Sequence, residues 1–124
     1  MDKEFLMDFT QDGRVLRARV IGIRTLDSTV GYWQVIVEEL ERRQSSGLLL
    51  VDQLEGEELS ASEWRTLVAK MHGRGLNNVR IAHVKSFSLD QIDYCERYAK
   101  AAGLVARVFR HEARARRWLA QPDA

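Results

Sequence analysis

One cysteine, one proline and no long apolar run set the first bounds on this 124-residue chain. Cys95 alone closes no internal disulfide, which points to a reducing compartment and away from small cross-linked secreted scaffolds. Pro122 stands in a short polar tail, 121–124, of the kind that frays. No stretch approaches the roughly 20 apolar residues that span a bilayer. The opening MDKEFLMDF carries acids where a secretory signal carries bases, so a soluble, cytoplasmic protein is expected. Charge of one sign is also lacking: nineteen Lys and Arg against eighteen Asp and Glu leave +1, too little for a general affinity for polyanions. Repeats, low-complexity tracts and linkers are absent. So are the GxxxxGK[ST] phosphate loop and any HxxxH ligand spacing.

What is present is the material of a packed core. Hydrophobic residues make up 45% of the chain, with three tryptophans, and the length is that of one domain burying roughly two-thirds of its unfolded surface. Residues 4–10 and 14–23 have strand character and meet at QDG, where Asp12-Gly13 suits a tight hairpin turn. Asp27, Ser28 or Thr29 can cap a helix running to about Gln44, with Trp33, Ile36, Val37 and Leu40 on one stripe and Gly47 as its stop. Leu48–Val51 then forms a short strand apolar on both faces, ending at Asp52. Ser60 and Glu63 have capping-box spacing ahead of a stripe of Trp64, Leu67, Val68 and Met71, and HGRG ends that helix. Val79–Val84 is the next strand. Ser88 and Gln91 open a helix with Ile92, Cys95, Ala99 and Ala102 inside, stopped by Gly103. Leu104–Phe109 is the last strand, and a short helix carries Ala115, Trp118 and Leu119.

Residues 1–120 therefore predict one α/β domain. It has a mainly parallel sheet of about five strands, with an antiparallel N-terminal edge strand, covered by about four helices. With this order, the stretches VLRARVIG, GLLLVDQLEG, VRIAHV and ARVFRHEARARRWLA resemble the SpoIIAA-like, or STAS, superfamily, in its bacterial stand-alone form. The resemblance covers nearly the whole chain. It implies a small non-enzymatic regulatory module that binds protein partners or, in some relatives, small or apolar ligands. In the anti-sigma antagonist branch the aspartate at this strand end is followed by a phosphorylated serine. Asp52 matches that aspartate, but Gln53 and Leu54 follow it, and Ser60 reads as a helix cap, so the phosphoswitch is expected to be missing.

Ligands in parallel α/β sheets gather outside the carboxyl ends of the strands. Asp52, Gln53, His83, Lys85 and His111 fall there. A carboxylate and two imidazoles have the chemistry of a metal site or proton relay, yet they sit on different strands without a fixing motif. The plain alternative is that Asp52 caps a turn, His83 bonds within the sheet and His111 starts the last helix. No metal and no cofactor are expected. Cys95 reads as a buried inert thiol, and His72 as a last-turn residue that suits the helix dipole.

Residues 52–63 carry five acids and no base, whereas Arg107, Arg110, Arg114, Arg116 and Arg117 face one acid, Glu112. Both runs read as solvated surface, and without interleaved exposed aromatics no nucleic-acid partner is expected. VGYWQVIV holds more apolar surface than one stripe buries. Tyr32 and Val35 therefore mark either a partner or ligand face, with a homodimer through this helix as one form, or an unusually wide buried stripe. The leading expectation is a regulatory protein-interaction module. A carrier or sensor of a small apolar or lipid-like ligand is the alternative, and an enzyme using Asp52, His83 and His111 comes third.

Overall fold

The computed structural model describes residues 5–71, 73–85, 96–97, 99–101 and 103–121. Its strands are β1 (Phe5–Asp12), β2 (Val15–Ile23), β3 (Gly47–Glu55), β4 (Arg80–Val84) and β5 (Val105–Phe109). The helices are α1 (Leu26–Arg43), α2 (Ala61–Met71), α3, described at 96–97 and 99–101, and α4 (Glu112–Ala120). The architecture is the expected one, a five-stranded sheet with β1 antiparallel to β2 and all other pairs parallel, and its strands stand in sequential order. The expectations placed on His72, Ser88, Gln91, Ile92, Cys95, Ala102 and Pro122 lie outside the described residues.

Local chemistry moves several element ends. Asp12 pairs with Val15, so the hairpin turns on Gly13-Arg14 rather than on Asp12-Gly13. Gly13 has φ 60° at the first central position, the primed geometry that follows strand twist and that glycine adopts without strain. Helix α1 starts at Thr25 rather than at Asp27, Ser28 or Thr29. Ser28 N donates to Thr25 Oγ1 and Thr25 N to Ser28 Oγ, both at 2.9 Å, so Ser28 is the partner in a capping box and not its cap. The helix ends on Gln44, which takes the left-handed conformation at φ 52°. Gly47 instead opens β3, where a Cβ would stand 3.2 Å from Val15 Cγ2. Ser60 and Glu63 close the capping box expected of α2, at 2.9 and 3.2 Å.

Because every crossover steps to the adjacent strand in one direction, right-handed connections bring the intervening helices to one face. Leu16, Val20, Leu48, Leu50 and Ile81 pack there with Trp33, Ile36, Val37 and Leu40 of α1 and Leu67 and Met71 of α2. Helix α4, after the last strand, crosses the opposite face, where Ala115 meets Leu49, Val51, Ala82 and Val84. Arg17 ties it down through Glu112 at 3.2 Å, and Arg80 donates to the carbonyls of Trp118 and Gln121 at its far end. Strand β3 is thus covered on both faces, which is why its sequence does not alternate.

Strand β3 also runs further than Val51. Its pairing with β2 continues from Val20–Asp52 to Ile23–Glu55, whereas its pairing with β4 stops at Val51–Val84. Asp52 therefore lies inside the sheet on one side and beyond the end of β4 on the other.

The apolar surface that Tyr32 adds to α1 is core. Tyr32 is 2% exposed, stacked on Trp33 at 5.9 Å and edge-on to Phe5 at 6.3 Å, and Val35 is half-buried. With β1 on one flank and α2 on the other, α1 buries a wider stripe than a sheet alone would cover. Of the two readings of Tyr32, the wide buried stripe is the one its burial matches. Tyr32→Ala is expected to lower unfolding stability by about 3–5 kcal/mol, as for other buried aromatics. Val35→Ala is expected to cost about 1 kcal/mol or less. Urea denaturation compares the two, and a Tyr32→Ala protein of undiminished stability would contradict this placement.

Candidate functional site

The carboxyl ends of β2, β3 and β4 meet in a buried charge cluster. Arg24 follows the last residue of β2, Asp52 belongs to β3, Glu58 lies in the loop leading to α2, His83 belongs to β4 and Lys85 follows its last residue. Strand alternation aims Asp52 and His83 at the face that carries α1 and α2. The Asp52 side chain has no exposed surface; Lys85 is 2% and Arg24 6% exposed.

Both carboxylate oxygens of Asp52 are engaged. Oδ1 accepts from Leu54 N at 3.1 Å and from the Arg24 guanidinium at 3.4 Å. Oδ2 accepts from His83 Nε2 at 2.8 Å and from Arg24 Nη1 at 3.2 Å, with Lys85 Nζ at 4.0 Å. Glu58 supplies the second carboxylate, 3.2 Å from Arg24 Nε and 3.4 Å from Lys85 Nζ. Arg24 also donates to the Leu54 carbonyl at 3.3 Å.

The protonation states follow from these contacts. Burial alone would raise the Asp52 carboxyl, but the His83 hydrogen bond and the Lys85 and Arg24 charges prevail and hold it at about 2. Burial and the Lys85 charge push the His83 imidazole down to about 4, against the pull of Asp52. At neutral pH His83 is therefore uncharged, with its Nε2 proton directed at Asp52 and its Nδ1 left as an acceptor. Burial moves the Glu58 carboxyl up, opposed by Lys85 and Arg24. Among the described residues, two cations face two carboxylates around a neutral imidazole.

Of the residues singled out in the sequence, Asp52, His83 and Lys85 come together. Gln53 points to the other face of the sheet, where it accepts from Arg19 Nε at 2.7 Å. His111 is exposed at the N-cap of α4, without a capping bond from its side chain, and takes no part in the cluster. Tyr32 belongs to the core beneath α1, and Val35 is half-buried beside it. Arg24 and Glu58 escaped notice in the sequence. The signal that could have found Arg24 is its place at the carboxyl end of a parallel strand, the same argument that selected Asp52. Among the described residues no three His, Cys, Asp or Glu side chains converge as metal ligands.

A cavity of about 430 Å³ adjoins the cluster on the same face, between α2, α3 and the strands β4 and β5. Its wall is largely apolar, with Trp33, Trp64, Leu67, Met71, Ile81 and Val108 among the lining residues. His83 belongs to both wall and cluster, and Lys85 Nζ lies 5.5 Å from the centre of the Trp64 ring. The Nε1–H of Trp33 is buried beside the Tyr32 side chain, and that of Trp64 is buried without an acceptor among the described residues, neither opening onto the cavity. Towards solvent, Arg107 and Glu96 pair at 4.0 Å. A second groove, beside Phe5, Ile21 and Gln53 with the exposed Leu6 and Ile23, occupies sheet surface near β1 and β2. No helix among the described residues is long and apolar enough to cross a membrane. No protein-family model matches the chain, and no curated protein matches it either.

Asp52→Asn leaves Arg24 and Lys85 buried with one carboxylate between them, and is expected to destabilise the fold by about 3–5 kcal/mol in urea unfolding. A loss below about 1 kcal/mol would show the cluster to be dispensable. The pH dependence has a definite sign. In the folded state His83 is depressed from 6.5 to about 4, so the unfolded chain takes up that proton first. Stability is then full above about 6.5 and falls by on the order of 3 kcal/mol as pH drops to 4. Asp52, depressed from 3.8 to about 2, adds a further loss below that window, while the raised Glu58 works in the opposite sense near 4.5 and upward. His83→Gln is expected to flatten the first window, and a wild-type profile already flat there would contradict the assignment.

Proposed function

We propose that this domain is a non-catalytic binding module whose cavity between α2, α3, β4 and β5 encloses a small, largely apolar molecule. The observation that carries the reading is that cavity: about 430 Å³ of mainly apolar volume with a few polar groups at defined places on its wall. The charge cluster supports a structural rather than a chemical role for Asp52 and His83. Every oxygen of Asp52 is occupied by Arg24, His83 or Leu54 N, and His111, the third group of an acid–base reading, stands apart. The five-stranded sheet with an antiparallel edge strand is the architecture that a SpoIIAA-like protein implies, and it supports that resemblance at the level of fold.

A second reading, closer to the regulatory role that the resemblance implies, rests on a different observation. Leu6 and Ile23 are 66% and 54% exposed beside a groove on the opposite sheet face, which suits docking of a protein partner. Capping of Ser60 by Glu63 favours a form of either reading that works without a phosphoserine switch.

The binding reading is tested with Nile red, a neutral dye that brightens in apolar surroundings. Saturable binding to the wild type is expected. Ala106→Phe, which adds a ring inside the cavity, is expected to weaken it at least about tenfold while circular dichroism stays native. Dye binding that survives Ala106→Phe unchanged would place the ligand elsewhere and remove the support for this reading.

A further inference from the structure

Strand β4 holds His83 between Leu50 of β3 and Val108 of β5. Residues that face one another across a parallel pair share a face, so the imidazole leaves the sheet on the side of α1 and α2, beside Val108 and one pleat from Ile81. All three line the cavity. Of the five residues in the charge cluster, His83 is the one that also belongs to this wall.

Its two ring nitrogens have different neighbours. Nε2 stands 2.8 Å from Asp52 Oδ2. The Asp52 carboxyl is ionised and can only accept, so Nε2 carries the proton and the free lone pair of the neutral ring is on Nδ1. Turning the ring over would set a C–H against the carboxylate and forfeit that bond. Asp52 cannot follow the ring elsewhere, because Leu54 N and Arg24 hold its other oxygen. Nδ1 accepts no hydrogen bond among the described residues. It also differs in access from the indole nitrogens nearby: Nε1 of Trp33 and of Trp64 is sealed, whereas Nδ1 is not. The open 8% of the His83 side chain belongs to a residue whose free space is the cavity.

An acceptor in a mainly apolar wall discriminates between ligands. One that covers Nδ1 with hydrocarbon strips its water and returns nothing, whereas an O–H or N–H on the ligand replaces the lost bond. We infer that the natural ligand bears a hydrogen-bond donor, a hydroxyl or an amide-type N–H, on its apolar body and donates it to Nδ1 of His83, which Asp52 holds in the accepting form. The inference rests on the cavity being a binding site, and deepens that reading by naming the group the ligand carries and the residue that selects it.

Three probes of similar size separate a donor from an oxygen and from bulk: 4-propylphenol, its methyl ether 4-propylanisole, and butylbenzene, each measured by displacement of Nile red at neutral pH. The phenol is expected to bind about threefold to tenfold more tightly than either of the others. Without an acceptor its hydroxyl would be buried unpaired, and the phenol would rank last. His83→Leu keeps an apolar side chain and removes the nitrogen, and is expected to produce that reversed order. Because this variant also takes one bond from Asp52 and can fail to fold, a second measurement uses the wild type. Imidazole nitrogen spectra are expected to show His83 with Nε2 protonated and Nδ1 bare. Saturation with 4-propylphenol, and with neither other probe, is expected to draw the Nδ1 signal upfield as it gains a donor. A phenol that ranks level or last on the wild type would overturn the inference. So would a phenol preference that survives His83→Leu, or an Nδ1 that is protonated at the outset or unmoved by the phenol. If Nile red itself fails to bind, the cavity reading falls and takes this inference with it. If the dye binds and only the ranking or the Nδ1 response fails, the cavity stands and the donor is wrong.

Discussion

The carboxylate of Asp52 is sealed from solvent, and the geometry around it follows from keeping that charge satisfied. Burying an ion costs several kcal/mol even after relaxation, so its partners have to be held in place rather than merely nearby. They come from three separate strand ends. Arg24 arrives from β2, His83 and Lys85 from β4, and Leu54 N from the continuation of β3 itself. The offset between neighbouring strands makes room for them. Strand β3 continues beside β2 to Glu55, whereas β4 stops opposite Val51. Glu58 completes the balance from the loop that leads into α2.

That balance has consequences beyond stability. A histidine beside an ionised carboxylate is ordinarily drawn towards protonation, yet burial and Lys85 hold His83 neutral. The imidazole can therefore stand in an apolar cavity wall without bringing a charge into it. Lys85 against the Trp64 ring joins the two regions again, one side of the indole meeting a cation already matched by carboxylates and the residue as a whole lining the cavity. The cluster thus serves as a fixed, electrically quiet wall. The sequential strand order adds the rest, since it brings α1 and α2 onto the face where the cavity opens and sends α4 to the other.

Much of this fold could be read from the chain. The alternation in β2, the uninterrupted apolar run of β3 and the capping box of Ser60 and Glu63 are each local signals, and each is matched by the element it specifies. Boundaries that depend on a choice between equivalent residues were less legible. Thr25 and Ser28 both have hydroxyls suited to a cap, and which one terminates α1 is decided by the path of the chain leaving β2. Gln44 takes the left-handed stop that a glycine three positions on seemed made for, because Gly47 is required where β3 passes Val15. The end of β3 was misjudged for a similar reason: a charged residue inside a strand reads as an end when its buried partners are distant in sequence. The site was legible as a place and not as a set. Strand ends selected Asp52, His83 and Lys85, but also Gln53, which alternation turns to the other face, and His111, which stays exposed. Arg24 and Glu58 carry no pattern of their own. Their role arises only when three loops converge, and the same convergence creates the cavity, which no periodicity announces.

The central proposal is that the cavity between α2, α3, β4 and β5, lined in part by Trp33 and Trp64, encloses a small apolar molecule. The chain has three tryptophans, and Trp118 packs against Phe109 on the opposite face of the sheet, away from the cavity. Nitrogen–proton correlation spectra of the indole groups therefore contain their own control. On titration with Nile red, the Trp33 and Trp64 side-chain signals are expected to shift in a saturable manner as the dye packs beside their rings, while the Trp118 signal stays in place. Signals of Trp33 and Trp64 that remain unmoved at ligand saturation, or a shift confined to Trp118, would contradict the account.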